Sequence, residues 1–152
     1  MSEVKLFIDT SVENFARQLA KKGAINPVFD TMAEIAVFSA AFAMKQDLST
    51  IEVKDRSNIG DPGIDIGVFD RRGCLPAMSL MAYSYTTDLQ VLATENIERQ
   101  FKIVEGLANA GLNSLKRRLE GSFDKYTLIE AIVLETCDGS GARSRIDSIS
   151  DF

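Results

Sequence analysis

The sequence predicts an α+β fold that is mainly α, and three observations carry that prediction. A short alternating segment, Val4-Lys5-Leu6-Phe7-Ile8, runs directly into two stretches patterned at helical spacing. An interval rich in Gly and Asp follows, and most of the chain beyond it is again patterned as helix. Apolar residues make up 45% of the 152, enough for a packed core. The expected organisation is a strand–helix–helix dimerisation unit over 1–46, a loop with short strands and a helical bundle over 47–137, and a flexible tail over 138–152.

In the opening strand Val4, Leu6 and Ile8 share one face, and Glu3, Lys5 and Phe7 the other. Thr10-Ser11-Val12-Glu13 reads as a capping box, in which Thr10 covers the first turn and Glu13 reaches back. Val12, Phe15, Ala16, Leu19 and Ala20 continue at helical spacing, and Lys21-Lys22-Gly23 suits a helix end. Asn26-Pro27 makes a turn. Asp30 or Thr31 caps the second helix, where Met32, Ile35, Ala36, Phe38, Ser39, Phe42 and Ala43 place apolar residues over much of the circumference. That pattern implies burial in a dimer or a domain core.

Residues 46–67 read as a long loop, with short strands at Ile51–Val53 and Ile64–Phe69. A helix bearing Leu75, Met78, Leu80, Met81 and Tyr85 follows Arg71-Arg72-Gly73. Thr94 or Asn96 caps the longest helix, whose apolar stripe is Ile97, Phe101, Val104, Ala108, Gly111, Leu112, Leu115 and Leu119. Gly106 and Gly111 read as points of close helix crossing. Ser122 opens a last helix with Tyr126, Ile129, Ile132 and Val133, and the Gly/Ser-rich residues from Asp138 form the tail.

Composition narrows the chemistry. With no His, the chain lacks the commonest general base, the Ser-His-Asp and Cys-His arrangements and most zinc sites. Cys74 and Cys137 are far apart and form no CxxC, so they read as thiols in a reducing compartment. Gly60-Asp61-Pro62-Gly63-Ile64-Asp65-Ile66-Gly67 matches no phosphate-binding or calcium-binding spacing and reads as a turn-rich connector. No catalytic, cofactor or metal residues are expected. No apolar run reaches membrane-spanning length and no leader pattern opens the chain, so a cytoplasmic protein is expected.

The order strand, helix, helix resembles the ribbon-helix-helix motif, in which strands from two chains pair into a ribbon that enters the DNA major groove. A lone strand needs a partner, so this resemblance implies a homodimer or larger oligomer. Val4, Leu6, Ile8, Ile35, Phe38 and Phe42 are the candidate dimerisation residues. The face of Lys5 and Phe7 is the candidate base-reading edge, although Glu3 and Phe7 suit that task poorly. The net charge of −5 opposes broad affinity for phosphate. The cations available to DNA are Lys5, the pair Arg71-Arg72, and Lys116-Arg117-Arg118 near a helix C-terminus, where the macrodipole favours positive charge in any case. One arginine of the pair is expected on a nearby carboxylate such as Asp70, the other in solvent.

Val68-Phe69-Asp70-Arg71-Arg72-Gly73 and Asn96-Ile97-Glu98-Arg99, with Ile103-Val104-Glu105-Gly106-Leu107-Ala108-Asn109-Ala110-Gly111-Leu112, resemble the accessory family called DNA phosphorothioation (Dnd) system-associated protein 4. Val37-Phe38-Ser39-Ala40-Ala41-Phe42-Ala43 is similar to a segment of the same family. The resemblance implies a bacterial accessory protein encoded beside a DNA sulfur-modification and restriction system that limits phage or plasmid entry. It brings no active-site residues. The function expected is a non-enzymatic oligomeric adaptor or DNA-associated regulator, partnered by modification or restriction proteins, with DNA contact weak and no membrane partner. The rivals are a ribbon-helix-helix transcriptional regulator and a small metal-dependent nuclease using Asp61, Asp65 and Asp70.

Overall fold

A computed structural model describes residues 4–20, 29–45, 63–119, 129–131 and 133–134. In chain order its elements are strand β1 (Lys5–Leu6), helices α1 (Thr10–Leu19) and α2 (Met32–Met44), strand β2 (Ile64–Asp65) and helices α3 (Ile66–Arg71), α4 (Leu75–Thr86) and α5 (Ile97–Leu119). Two turns of 3-10 helix, Leu89–Leu92 and Thr94–Asn96, lead from α4 into α5. The fold is therefore α+β and mainly α, with one small antiparallel sheet. These elements lie in one unit, Met1–Glu120, and the helical residues at 129–131 and 133–134 belong to a second, Gly121–Phe152. The expected features at Glu3, 21–28, 46–62, Ser122, Tyr126, Ile132, Cys137 and the tail lie outside the described residues.

Helix α5 is the axis of the first unit. Its apolar stripe is buried from Phe101 through Val104, Ala108, Gly111, Leu112 and Leu115 to Leu119, as its spacing predicts. Helix α2 packs most extensively against it, and α1, α4 and β1 take the remaining sides. The α2–α5 crossing is close. A Cβ at Gly111 would lie 1.9 Å from the Ser39 carbonyl oxygen, so only glycine lets the two backbones meet there. Phe69 of α3 meets Phe101 edge-on, ring centroids 5.5 Å apart, and anchors α3 on the same core.

The helix termini depart from the local reading in several places. Asp9, not Thr10, caps α1: its carboxylate accepts from the Ser11 backbone N–H at 3.0 Å. Glu13 does not reach back but pairs with Arg17 one turn on. An Asp one residue before Thr holds the better acceptor in the N-cap position. The helix ends at Leu19, ahead of the expected Lys-Lys-Gly stop, because Ala20 turns extended and bridges in parallel to Phe29. Thr31 does cap α2, accepting from the Glu34 N–H at 3.3 Å.

The expected strand Ile64–Phe69 is cut short. Only Ile64 and Asp65 are extended, and Ile66–Arg71 coil into α3. Gly73 follows the end of α3 at φ +70°, the left-handed conformation that favours glycine. Gly63 enters β2 at φ +79°, and a Cβ there would lie 2.9 Å from the Phe7 ring. The apolar residues 66, 68 and 69 allow either period over so short a run, and packing on Phe101 decides for helix.

Candidate functional site

The residues expected to join two chains are placed mostly inside one. Leu6, Ile8 and Ile35 are fully buried and Phe42 nearly so, whereas Val4 and Phe38 are half-buried. Phe38 packs on Phe29, centroids 5.2 Å apart. Strand β1 also has a partner in its own chain: Lys5 lies opposite Asp65 and Leu6 opposite Ile64, and the Ile66 N–H donates to the Val4 carbonyl at 3.0 Å.

The other edge of the strand is covered as well. In an extended segment alternate residues send their main-chain groups to opposite edges, so Phe7 and Asp9 face away from β2. The Phe7 N–H donates to Glu105 Oε1 at 2.7 Å. Asn109 accepts from the Asp9 N–H at 2.7 Å and donates to the Phe7 carbonyl at 3.0 Å. Further along, Lys116 Nζ donates to the Ser11 carbonyl at 3.2 Å. Glu98, Lys102, Glu105, Asn109 and Lys116 recur on α5 at helical spacing, and the segment from Lys5 to Ser11 runs parallel to that stripe for roughly 20 Å. A helix face thus supplies the bonds that a neighbouring strand would supply. Within one chain, β1 is paired with β2 on one edge, and the outward main-chain groups of Phe7 and Asp9 just beyond it are held by α5.

Glu105 and Asn109 were not legible as holding residues, though one signal existed. They are 5% and 1% exposed. Asn is a poor interior helix residue because its amide competes for backbone groups, so an Asn in the middle of a 23-residue helix marks such a bond. Gln100 does similar work: its Nε2 donates to the Val91 carbonyl at 2.6 Å and its Oε1 accepts from Ser79 Oγ at 2.9 Å, tying the 3-10 turn and α4 to α5.

The six cations do not converge. Lys5 pairs with Asp65 at 3.8 Å and lines an open cavity of about 200 Å³ with Val4, Phe7, Glu98, Phe101 and Lys102. Arg72 bonds Glu34 at 3.3 Å, at the start of α2, rather than Asp70, and Arg71 is exposed. Arg118 lies 6.0 Å over the Phe42 ring near the end of α2, and the exposed Arg117 reaches Ser114 Oγ at 3.4 Å. Glu34 and Phe42 are eight positions apart, so the arginine pair and the α5 terminus sit about 12 Å apart along α2. Lys45 ends α2 one turn beyond Phe42, adding a cation at that end which the sequence did not single out.

Cys74 is half-buried between Arg72 and Glu34. Burial pushes its thiol above the ordinary value, the Glu34 carboxylate pushes it further, and the Arg72 guanidinium opposes both. Of the nuclease carboxylates, Asp65 is paired with Lys5, Asp70 is exposed, and Asp61 lies outside the described residues. Among the described residues no three His, Cys, Asp or Glu side chains are placed to hold a metal ion, and no helix is long and apolar enough to cross a membrane.

No curated protein and no solved structure matches this chain. A family model does: the one described as DNA sulphur modification system-associated protein 4 matches residues 8–150. That span takes in α1 through α5, including the α2–α5 crossing and the α5 side chains Glu105 and Asn109, while β1 lies just before it. The chain belongs to the family of DNA sulphur modification system-associated protein 4.

Proposed function

We propose that this protein is a non-enzymatic accessory component of a bacterial DNA-sulphur-modification-linked defence system, acting as an oligomeric adaptor for the modification or restriction proteins. The link to such a system rests on the family. The adaptor role is supported chiefly by one structural observation. The buried polar side chains of α5, Gln100, Glu105 and Asn109, hold the protein's own main chain and its neighbouring turns. Buried polar groups in a catalytic pocket face a substrate; these serve architecture. DNA, on this reading, is touched only through weak phosphate contacts at separated cations.

Affinity purification of the tagged chain from cells carrying the modification and restriction genes tests it. A stoichiometric modification or restriction protein should elute with it in high salt and after nuclease treatment. Recovery of the chain alone, together with metal-dependent DNA cleavage lost in Asp61→Ala/Asp65→Ala, would establish the nuclease reading instead.

A further inference from the structure

The open cavity of about 200 Å³ beside β1 is lined by Val4, Lys5, Phe7, Glu98, Phe101 and Lys102. Two elements build it. Lys5 and Phe7 share one face of the N-terminal segment, and Glu98 and Lys102 stand one turn apart on α5. Both aromatic walls are fixed. The Phe7 N–H is held by Glu105 at 2.7 Å and its carbonyl by Asn109 at 3.0 Å. Its ring rests against Gly63, where a Cβ would lie 2.9 Å away. Phe101 is 2% exposed and meets Phe69 edge-on. The charged groups are less constrained. Glu98 and Lys102 are exposed, and the Lys5–Asp65 pair is long, at 3.8 Å, so it holds its ammonium group only weakly.

We propose that this cavity holds one unpaired nucleotide, its base against Phe7 and its phosphate at Lys5 and Lys102. The proposal goes beyond the adaptor reading and does not need it. The lining selects the ligand class. An apolar side chain would suit Val4, Phe7 and Phe101 but would strip water from Lys5, Glu98 and Lys102 without replacing it. An inorganic anion would meet the lysines, yet Glu98 repels it and the rings add nothing. A nucleotide answers every group, because each base has a π-face for an aromatic wall and its phosphate accepts from ammonium groups. Glu98 then chooses the base. A carboxylate only accepts hydrogen bonds, and guanine presents two adjacent N–H donors on its Watson–Crick edge. Adenine offers one amino group beside an acceptor nitrogen, which a carboxylate repels. A guanine nucleotide is therefore the ligand expected. Bases inside a duplex keep that edge paired and their faces stacked, so double-stranded DNA is not read here.

Titration calorimetry of the full chain with guanosine monophosphate, adenosine monophosphate and inorganic phosphate tests this. The guanine nucleotide should bind with a dissociation constant on the order of 100 µM, and the other two at least about tenfold more weakly. Lys102→Ala, at an exposed position, and Phe7→Leu should each weaken the guanine nucleotide about tenfold, the first with an unchanged melting temperature. Glu98→Gln should bring the two nucleotides to equal affinity. A single-stranded oligonucleotide ending in guanine separates the sources of the ligand. Tighter binding than the mononucleotide assigns the site to a nucleic-acid strand, and equal or weaker binding assigns it to a free nucleotide. No binding of mononucleotide or oligonucleotide at millimolar concentration would overturn the proposal. So would inorganic phosphate binding as tightly as the nucleotide, or nucleotide binding indifferent to Lys102→Ala. Equal affinity of the wild type for both nucleotides would overturn the role of Glu98. The co-purification above does not involve this cavity, so the adaptor reading stands or falls separately.

Discussion

The Asn109 amide donates to the Phe7 carbonyl at 3.0 Å, and the same side chain accepts from the Asp9 N–H at 2.7 Å. One buried side chain therefore answers two main-chain groups of an extended segment 100 residues away in sequence. Asn109→Ala leaves both groups in a partly buried setting without partners, at about 1–3 kcal/mol each. The expected result is a loss of about 2–4 kcal/mol, read by urea unfolding. Hydrogen exchange should show the amide of Asp9 losing protection, while that of Phe7, held by Glu105, and those of the α5 core keep theirs. Stability equal to wild type would show that water replaces the side chain at no cost.

Two glycines should respond to alanine in opposite directions. At Gly111 the new Cβ meets the Ser39 backbone, oxygen at 1.9 Å and carbon at 2.6 Å, so α2 must move away from α5. The helix-propensity gain of about 1 kcal/mol is outweighed by overpacking of about 3 kcal/mol. At Gly67, inside α3, the nearest atom is the end of the flexible Arg71 side chain at 3.7 Å. There alanine should stabilise by about 0.5–1 kcal/mol through the unfolded chain's entropy. Thermal melts of both variants check the contrast.

Cys74 should alkylate slowly at neutral pH. Its thiol titrates above the ordinary value through burial and Glu34, so below that value the reactive thiolate is scarce. Glu34→Gln removes a raising charge and should speed iodoacetamide labelling about two- to fivefold at pH 7.5. Arg72→Ala removes the lowering charge and should slow it by a similar factor. A Cys137→Ser background isolates the signal, and rates measured from pH 7 to 10 give the order of the three titrations directly.

DNA affinity should be weak, strongly salt-dependent and indifferent to sequence, because the cations are scattered and phosphate contacts position without specifying. Titration of a labelled duplex at two salt concentrations reads the number of phosphates neutralised, the slope falling by about 0.9 for each phosphate that a variant no longer neutralises. Arg71→Ala/Arg72→Ala and Arg117→Ala/Arg118→Ala should each reduce it. Tight binding to one sequence, abolished by Lys5→Ala alone, would establish the ribbon-helix-helix regulator.

Much of the helical content was written in local pattern. Thr31 with Glu34, the stripe from Phe101 to Leu119 and the glycine crossing at Gly111 follow from periodicity and side-chain size, which neighbours along the chain already express. Tertiary structure decided the rest. The strand's partners are Ile64–Asp65 and two side chains of α5, nearly 60 and 100 residues away. No local rule reports which distant group answers a main-chain N–H, so an alternating segment looked unpaired when it was held on both edges. Leu6 and Ile8 were legible as apolar and buried; whether the burial lay between chains or within one depended on a helix face that forms only once α5 is in place. Nor could the pattern say that Arg72 would find Glu34, or that an uncharged helix would keep Leu80 in solvent. Those are matters of which surfaces the folded chain covers, and sequence order does not carry them.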